Sequence, residues 1–195
     1  MATLKKVREK ELKLVSDFKS KFSKVIRLVP DFPKPGIIFK DITPILANSA
    51  LFKQTIDWLV EVLLLQEKKP DLIAGIDARG FIFGAVVADR LGIGFIPIRK
   101  PGKLPAATYS AQYELEYGTG TLEIHKDAVP QGAEVAIIDD LLATGGTAEA
   151  AASLIERCNA KVNCFCFLIE LGFLNGKNKL DKFHAPLFSI QEDKD

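Results

Sequence analysis

A chain of 195 residues with 26 Lys and Arg against 25 Asp and Glu has a formal net charge of +1. That balance gives no global electrostatic reason to bind nucleic acid or an anionic membrane, so any anion site must be a local cluster. Hydrophobic residues make up 48% of the chain and charged residues 26%, with 13 Phe for core material, which fits one well-buried domain over 1–195 and excludes a largely disordered protein.

The first periodic segment runs over 4–26, where Leu4, Val7, Leu14, Val15, Phe18, Phe22, Val25 and Ile26 fall at helical spacing with lysines over the remaining face. It predicts an amphipathic N-terminal helix, placed at 1–28, that packs on the domain with its lysines in water. The stretch "VPDFPKPG" follows, and its three prolines and glycine turn the chain into an extended path and then a loop. Phe52, Ile56, Leu59, Val60 and Leu63 mark a second helix that ends near "EKKP". "DLIAGI" (71–76) reads as a buried strand and "DARG" as the turn after it, leading to a helix through about Leu91. "GFIPI" (94–98) is the next strand. A basic loop and a polar, aromatic stretch occupy 99–124, then a strand ends in "VAIIDD", a helix covers about Thr147 to Asn159, and "VNCFCFLIE" (162–170) forms a further strand.

Short strands alternating with helices of this length predict an α/β fold with a mostly parallel, twisted sheet flanked by helices. Ligands of such sheets sit beyond the carboxyl ends of the strands, and here the loops beginning at Asp77, Arg99, Asp139 and Glu170 open at that edge. No run approaches the ~18 apolar residues of a membrane span, nor does the N-terminus hold a signal core of about 7 to 15 apolar residues. Three cysteines, Cys158, Cys164 and Cys166, are odd in number and bunched at one strand, which fits a reducing cytoplasm better than a disulfide framework. Core packing is the plain reading of the C-x-C pair; a soft metal site is the other, but no second Cys pair or nearby His completes it.

In "VAIIDDLLATGGT", Val135 to Thr147, an apolar strand delivers Asp139 and Asp140 to the ligand edge. Gly145 and Gly146 let the backbone turn tightly and approach a ligand, Thr144 and Thr147 add hydroxyls, and the next helix contributes N–H groups with partial positive charge. Two carboxylates beside such an anion cradle would repel a bare phosphate, so they require another task, either accepting hydrogen bonds from sugar hydroxyls or contacting a Mg²⁺ that rides on the ligand. Phosphate and ribose together describe a phosphoribosyl group. Neither a Walker loop nor a dinucleotide fingerprint has this spacing.

That stretch resembles the phosphoribosyl pyrophosphate (PRPP) motif of the type I phosphoribosyltransferase family. "DFPKPGIIFKDITPIL" (31–46), "GIDARGFIFG" (75–84), "IRKPGKLP" (98–105) and "YELEYG" (113–118) are similar, in order, to segments of its adenine-using branch, so that the likeness runs from about Asp31 to Leu171. It implies a Mg²⁺-dependent, oxocarbenium-like displacement at ribose C1 that converts adenine and PRPP into AMP and pyrophosphate, in a cytoplasmic homodimer that engages neither nucleic acid nor membrane.

The resemblance also implies roles. Asp139 and Asp140 take the ribose hydroxyls, and Ala143, Thr144, Gly145, Gly146 and Thr147 take the 5′-phosphate. Ala78, Arg79, Arg99, Lys100 and Lys103 take pyrophosphate, with Arg99 crossing from a second subunit and the peptide bond before Ala78 in the cis form. Ile38, Phe39, Lys40 and Leu171 enclose adenine, Glu116 manages the proton at N7, and Tyr117 belongs to a hairpin flap. Mg²⁺ is expected to be held by PRPP and water, with no protein cage. Read without the resemblance, "RKPGK" is a solvated basic loop, Phe39 is core, Glu116 is an ordinary surface acid and Tyr109, Tyr113 and Tyr117 are exposed strand aromatics. A DNA-binding sensor of PRPP is disfavoured by the absence of room and positive charge for a nucleic-acid surface. Transferases for 6-oxopurines are disfavoured by "FPKPGIIFKDITP", because those bases reverse the hydrogen-bonding sense at N1 and position 6.

Overall fold

The computed structural model describes residues 18–114 and 118–194. They form two compact units, one ending at Asp57 and one beginning at Trp58.

In the first unit, helix α1 covers 18–25 and buries Phe18 and Phe22, whose rings meet edge to face at 5.9 Å. The rest of the expected N-terminal helix lies outside the described residues. Its C-terminal boundary is corrected from 28 to 25: Arg27 and Leu28 are already extended, in strand β1 (Arg27–Pro30), which pairs antiparallel with β2 (Ile38–Asp41). Pro30 supplies the reason, since it lacks the N–H that a helix needs and its ring disfavours helical backbone at the residue before it. The segment after "VPDFPKPG", expected as loop, becomes β2 for the same cause: the turn returns the chain beside β1, and the Arg27 guanidinium lies 3.6 Å from the Asp41 carboxylate. Asp41 then receives hydrogen bonds from both the Thr43 N–H and hydroxyl, each at 2.9 Å, where α2 (Thr43–Ala47) begins. Helix α3 (Ser49–Leu64), whose residues divide between the two units after Asp57, buries Leu51, Ile56, Leu59 and Leu63, while Phe52 and Val60 of the expected stripe are half-buried.

The second unit is built on a five-stranded, wholly parallel sheet in the order β4-β3-β7-β8-β9. Strand β3 (Leu72–Ile76) leads through α4 (Arg79–Leu91) to β4 (Gly94–Ile98), and β7 (Glu134–Leu142) through α5 (Gly146–Arg157) to β8 (Lys161–Leu171). Between these crossovers stands an antiparallel hairpin of β5 (Thr108–Glu114) and β6 (Thr119–His125), the flap of the sequence reading. The sheet's strands are near-continuous apolar runs because both faces are covered: Val135 to Ile138 and Phe165 to Ile169 are almost fully buried. Ile98, Leu154, Phe165 and Phe167 belong to one core cluster. After β8 come three single 3₁₀ turns, Gly172–Leu174, Gly176–Lys179 and Asp181–Phe183, and a final strand β9 (Leu187–Asp193) beside β8. Among the described residues, no helix is long and apolar enough to cross a membrane.

All three cysteines are buried and free, with the Sγ atoms of Cys164 and Cys166 3.9 Å apart. Burial raises the Cys158 thiol, and hydrogen bonding to Cys164 followed by burial pushes Cys166 well up. Little thiolate is therefore present at neutral pH. A thiol-specific chromogenic disulfide is expected to label none of the three within minutes in the native protein and all three in guanidinium chloride; a rapid native reaction at Cys164 or Cys166 would contradict this packing.

Candidate active site

The carboxyl edge of the parallel sheet gathers the charged residues. Strand β3 ends at Ile76, and one residue further on the Asp77–Ala78 peptide bond is cis. Helix α4 opens at Arg79, one strand away from the end of β7. The helix comes this close because residue 80 is glycine: a Cβ on Gly80 would lie 2.6 Å from the Ile138 carbonyl oxygen and 3.1 Å from Asp139 Oδ1. The approach places Arg79 Nε 3.0 Å from Asp140 Oδ2, a charge-assisted contact to a carboxylate that is almost fully buried.

Asp139 and Asp140 are adjacent on β7 and linked by a hydrogen bond from the Asp140 N–H to Asp139 Oδ1 at 2.9 Å. Both carboxyls are raised above the ordinary range. For Asp139 burial is the first cause and the Asp140 charge the second, and it stands well above; for Asp140 burial raises and Arg79 pulls back. Asp139 keeps an open edge on the neighbouring cavity, and water reaching that edge moderates its desolvation.

Beyond the acids, β7 runs into the turn that opens α5. Gly145 takes a left-handed conformation, φ +82°, at the N-cap of that helix, which a residue with a side chain adopts only with strain. The following amides point out of the helix start without intrahelical partners, as in any first turn. A cavity of about 310 Å³ lies against this turn, and its walls include Arg79, Asp139, Asp140, Ala143, Thr144, Gly145 and Thr147. Gly146 is buried at the first position of α5.

The other expected site residues fall elsewhere. Arg99, at the end of β4, is held within its own chain: Nε lies 3.1 Å from Asp77 Oδ2, Nη1 donates to the Lys103 carbonyl at 3.2 Å, and the guanidinium lies 5.7 Å from the centre of the Phe81 ring. Lys100 and Lys103 are exposed on the loop that follows. Leu171 ends β8, half-buried. Ile38, Phe39 and Lys40 belong to β2 in the first unit, with the Phe39 ring edge to face on Phe32 at 5.2 Å. Glu116 and Tyr117 lie outside the described residues.

Sequence reasoning missed several walls. Phe167, Leu141, Leu142 and Ala148 line the cavity too, as does Leu174 in the first 3₁₀ turn. Phe167 reads as plain core on an apolar strand, and Leu174 sits in a polar segment without periodicity, so neither carried a signal. Among the described residues, no group of three or more His, Cys, Asp or Glu side chains is arranged to hold a metal. The hard carboxylate oxygens of Asp139 and Asp140 do suit Mg²⁺ arriving on a phosphorylated ligand that brings most of its coordination.

Residues 41–191 match the phosphoribosyl transferase domain. An adenine phosphoribosyltransferase of Desulfitobacterium hafniense (strain Y51) is 56% identical over 164 residues, 84% of this chain and 94% of its own. The crystal structure of adenine phosphoribosyltransferase from Thermoanaerobacter pseudethanolicus superposes with a TM-score of 0.85 at 52% identity, over 90% of this chain and 99% of that one. The Saccharomyces cerevisiae enzyme, complexed with D-2,5-dideoxy-2,5-imino-altritol 1,6-bisphosphate and adenine, has a TM-score of 0.83 at 42% identity, over 90% and 99% of the two chains.

A raised carboxyl carries a sign for stability. Asp139 holds its proton to a higher pH folded than unfolded, where the unfolded value is about 3.9. Its favourable contribution is therefore complete below that value and lost as pH rises through the folded one. Asp139→Asn keeps an oxygen for the Asp140 N–H and removes the buried charge. Ligand-free melting curves should show the variant gaining on the wild type between pH 4 and pH 8, by about 2–4 °C; a difference constant across that range would refute the burial cost.

Proposed function

This chain belongs to the adenine phosphoribosyltransferases of the phosphoribosyl transferase family, and from that membership we infer that it converts adenine and PRPP into AMP and pyrophosphate in purine salvage. The N9–C1 bond forms and the C1–O bond to pyrophosphate breaks. The leaving oxygen keeps the electron pair, and adenine gives up one imidazole N–H proton, which this reading passes through N7 to Glu116, freeing the N9 lone pair for C1. Bond breaking leads bond making, so positive charge grows on the ribose ring while negative charge grows on pyrophosphate.

The observation that carries the residue assignment is the Arg79–Asp140 contact of 3.0 Å beside the cavity at the Thr-Gly-Gly-Thr turn. In this reading the turn from Ala143 to Thr147 grips the 5′-phosphate through its amides and hydroxyls, at the positive end of α5. Asp139 and Asp140 accept hydrogen bonds from the ribose 2′ and 3′ hydroxyls. Desolvated carboxylates this close to C1 also favour a developing positive ring, because their field acts where little water screens it. Arg79, which lies beside Asp140, also serves pyrophosphate. Its guanidinium is already in place when leaving-group charge develops, which costs no reorganisation at that moment.

Ala78 offers its N–H to pyrophosphate, and Lys100 and Lys103 add positive charge. Arg99, fixed by Asp77 and Phe81 rather than by the cavity of its own chain, is presented to the pyrophosphate of a second copy in a homodimer. Adenine stacks on Phe39 with the backbone of Ile38 and Lys40 reading its edge and Leu171 closing the opposite face. Glu116 shares a proton with N7, making N9 the better nucleophile. Tyr117 and the β5–β6 hairpin close over the substrates and keep water from the sugar cation. Asp139 and Asp140 would offer carboxylate oxygens to Mg²⁺ held mainly by PRPP and water, and the ion would supply charge neutralisation to the phosphate oxygens. Both units act as one domain, and the protein works in the cytoplasm.

With PRPP, Mg²⁺ and each nucleobase in turn, the purified protein is expected to form nucleotide and pyrophosphate from adenine and not from hypoxanthine, guanine or xanthine; preferred turnover of a 6-oxopurine would overturn the base assignment. Arg79→Ala and Glu116→Gln should each lower kcat/KM by on the order of 10²-fold or more, read in the same assay, with PRPP still binding Glu116→Gln. Near-wild-type rates in either variant would remove that residue from the chemistry.

A further inference from the structure

The 3₁₀ turns after β8 carry no charged group into the cavity, yet one of them touches the loop that forms it. Gly176, buried at the start of the second turn, stacks its backbone directly on that loop. A Cβ added at Gly176 would collide with the Ala143 carbonyl oxygen and lie 2.9 Å from the Gly145 nitrogen. The contact is mutual, because a Cβ added at Gly145 would collide with the Gly176 carbonyl oxygen. All the obstructing atoms are backbone, so no rotamer change relieves them.

Gly145 has two reasons to be glycine, its φ of +82° and the lack of room. Gly176 has one. It is not among the glycines with positive φ, so an alanine there meets no conformational penalty and only the close approach excludes it. Leu174, two residues earlier, lines the same cavity as Ala143 and Gly145, which means that the turn contributes both a wall of the site and the support behind the loop.

We propose that Gly176 is a positioning residue for PRPP: it lets the 172–176 segment press against Ala143–Gly145 and so fixes the height at which the loop amides meet the 5′-phosphate. The proposal rests on the assignment of that loop to the phosphate. A methyl at 176 has to lift the loop or push the turn away. A displacement of a few tenths of an ångström misaligns several amide donors together, and hydrogen bonds weaken steeply with misalignment. Of the proposed adenine contacts, Ile38, Phe39 and Lys40 lie on β2, away in sequence from this segment, and Leu171 is anchored as the last residue of β8. The selective consequence is weaker PRPP binding with adenine recognition preserved.

Gly176→Ala is therefore expected to raise KM for PRPP about tenfold while KM for adenine stays within about twofold of the wild type, with Lys177→Ala, an exposed neighbour, leaving both unchanged. Equal losses in the two constants, or no change in KM for PRPP, would overturn the assignment, since a merely structural role lowers the active fraction without splitting them. If the variant does not fold, the wild-type protein supplies the test through amide hydrogen exchange with and without ribose 5-phosphate. Protection is expected at Ala143–Thr147 and, in step with it, across 172–176. Protection of the loop alone refutes the role of Gly176 while leaving the phosphate site standing; absence of protection at the loop refutes the phosphate assignment and this inference with it.

Discussion

Two carboxylates held out of bulk water at the end of one parallel strand set the terms for everything around them. Asp139 and Asp140 are placed by β7, the middle strand of the sheet, where burial resists the ionisation of both and the Asp140 charge further resists that of Asp139. A structure optimised only for stability would not put them there. Arg79 is the compensation that the fold provides, and it reaches Asp140 because glycine at position 80 lets α4 start against β7. The ion pair between them is one of necessity: an isolated buried carboxylate is far costlier than one with a guanidinium at 3.0 Å. In the proposed reaction the same pair prepares a cation for the anionic leaving group, so the cost of the site and its chemistry would have one origin.

The fold serves this arrangement by direction. Every strand of the main sheet is parallel, so all of their carboxyl ends share one edge. The turns after β3, β4, β7 and β8 therefore converge there by topology, without long-range steering by charge. Arg99 follows the same logic one strand over, with Asp77 and Phe81 fixing its guanidinium at the edge of the sheet. Its orientation is thereby fixed within its own chain, which lowers the entropic cost of the role proposed for it.

Much of this was legible in the order of residues, and the remainder was not for identifiable reasons. Strands β3, β4, β7 and β8 are apolar runs bounded by turn residues, and α4 and α5 have clear stripes, so local pattern alone located them within a residue or two. The paired acids and the Gly-Gly turn stood out in the sequence, since neither suits an ordinary strand-to-helix connection, and the structure brings them to one cavity. Strands β1 and β2 were hidden because each exists only through the other, with Pro30 and the 31–37 turn deciding a pairing that no short window contains. Strand β9 and the three 3₁₀ turns were hidden differently: "GKNK" is polar and aperiodic, and only the fold reveals that its first residue presses on the loop of another strand. Ile38, Phe39 and Lys40 were recognisable by likeness alone, because a partly buried Phe beside another Phe has no chemical signature of its own.

Strand order has a consequence for how the protein is made. The middle of the sheet, β7, lies between β3, which leaves the ribosome far earlier, and β8, which leaves later. A nascent chain that has emerged only as far as Leu142 already contains Asp139, Asp140 and Arg79, but one edge of β7 is still bare, and the support beneath the glycine turn has not been synthesised. Non-local parallel pairing is slow to form. Full enclosure of the acidic residues therefore waits for the last quarter of the polypeptide, which brings Phe167 and Leu174 to the walls beside them.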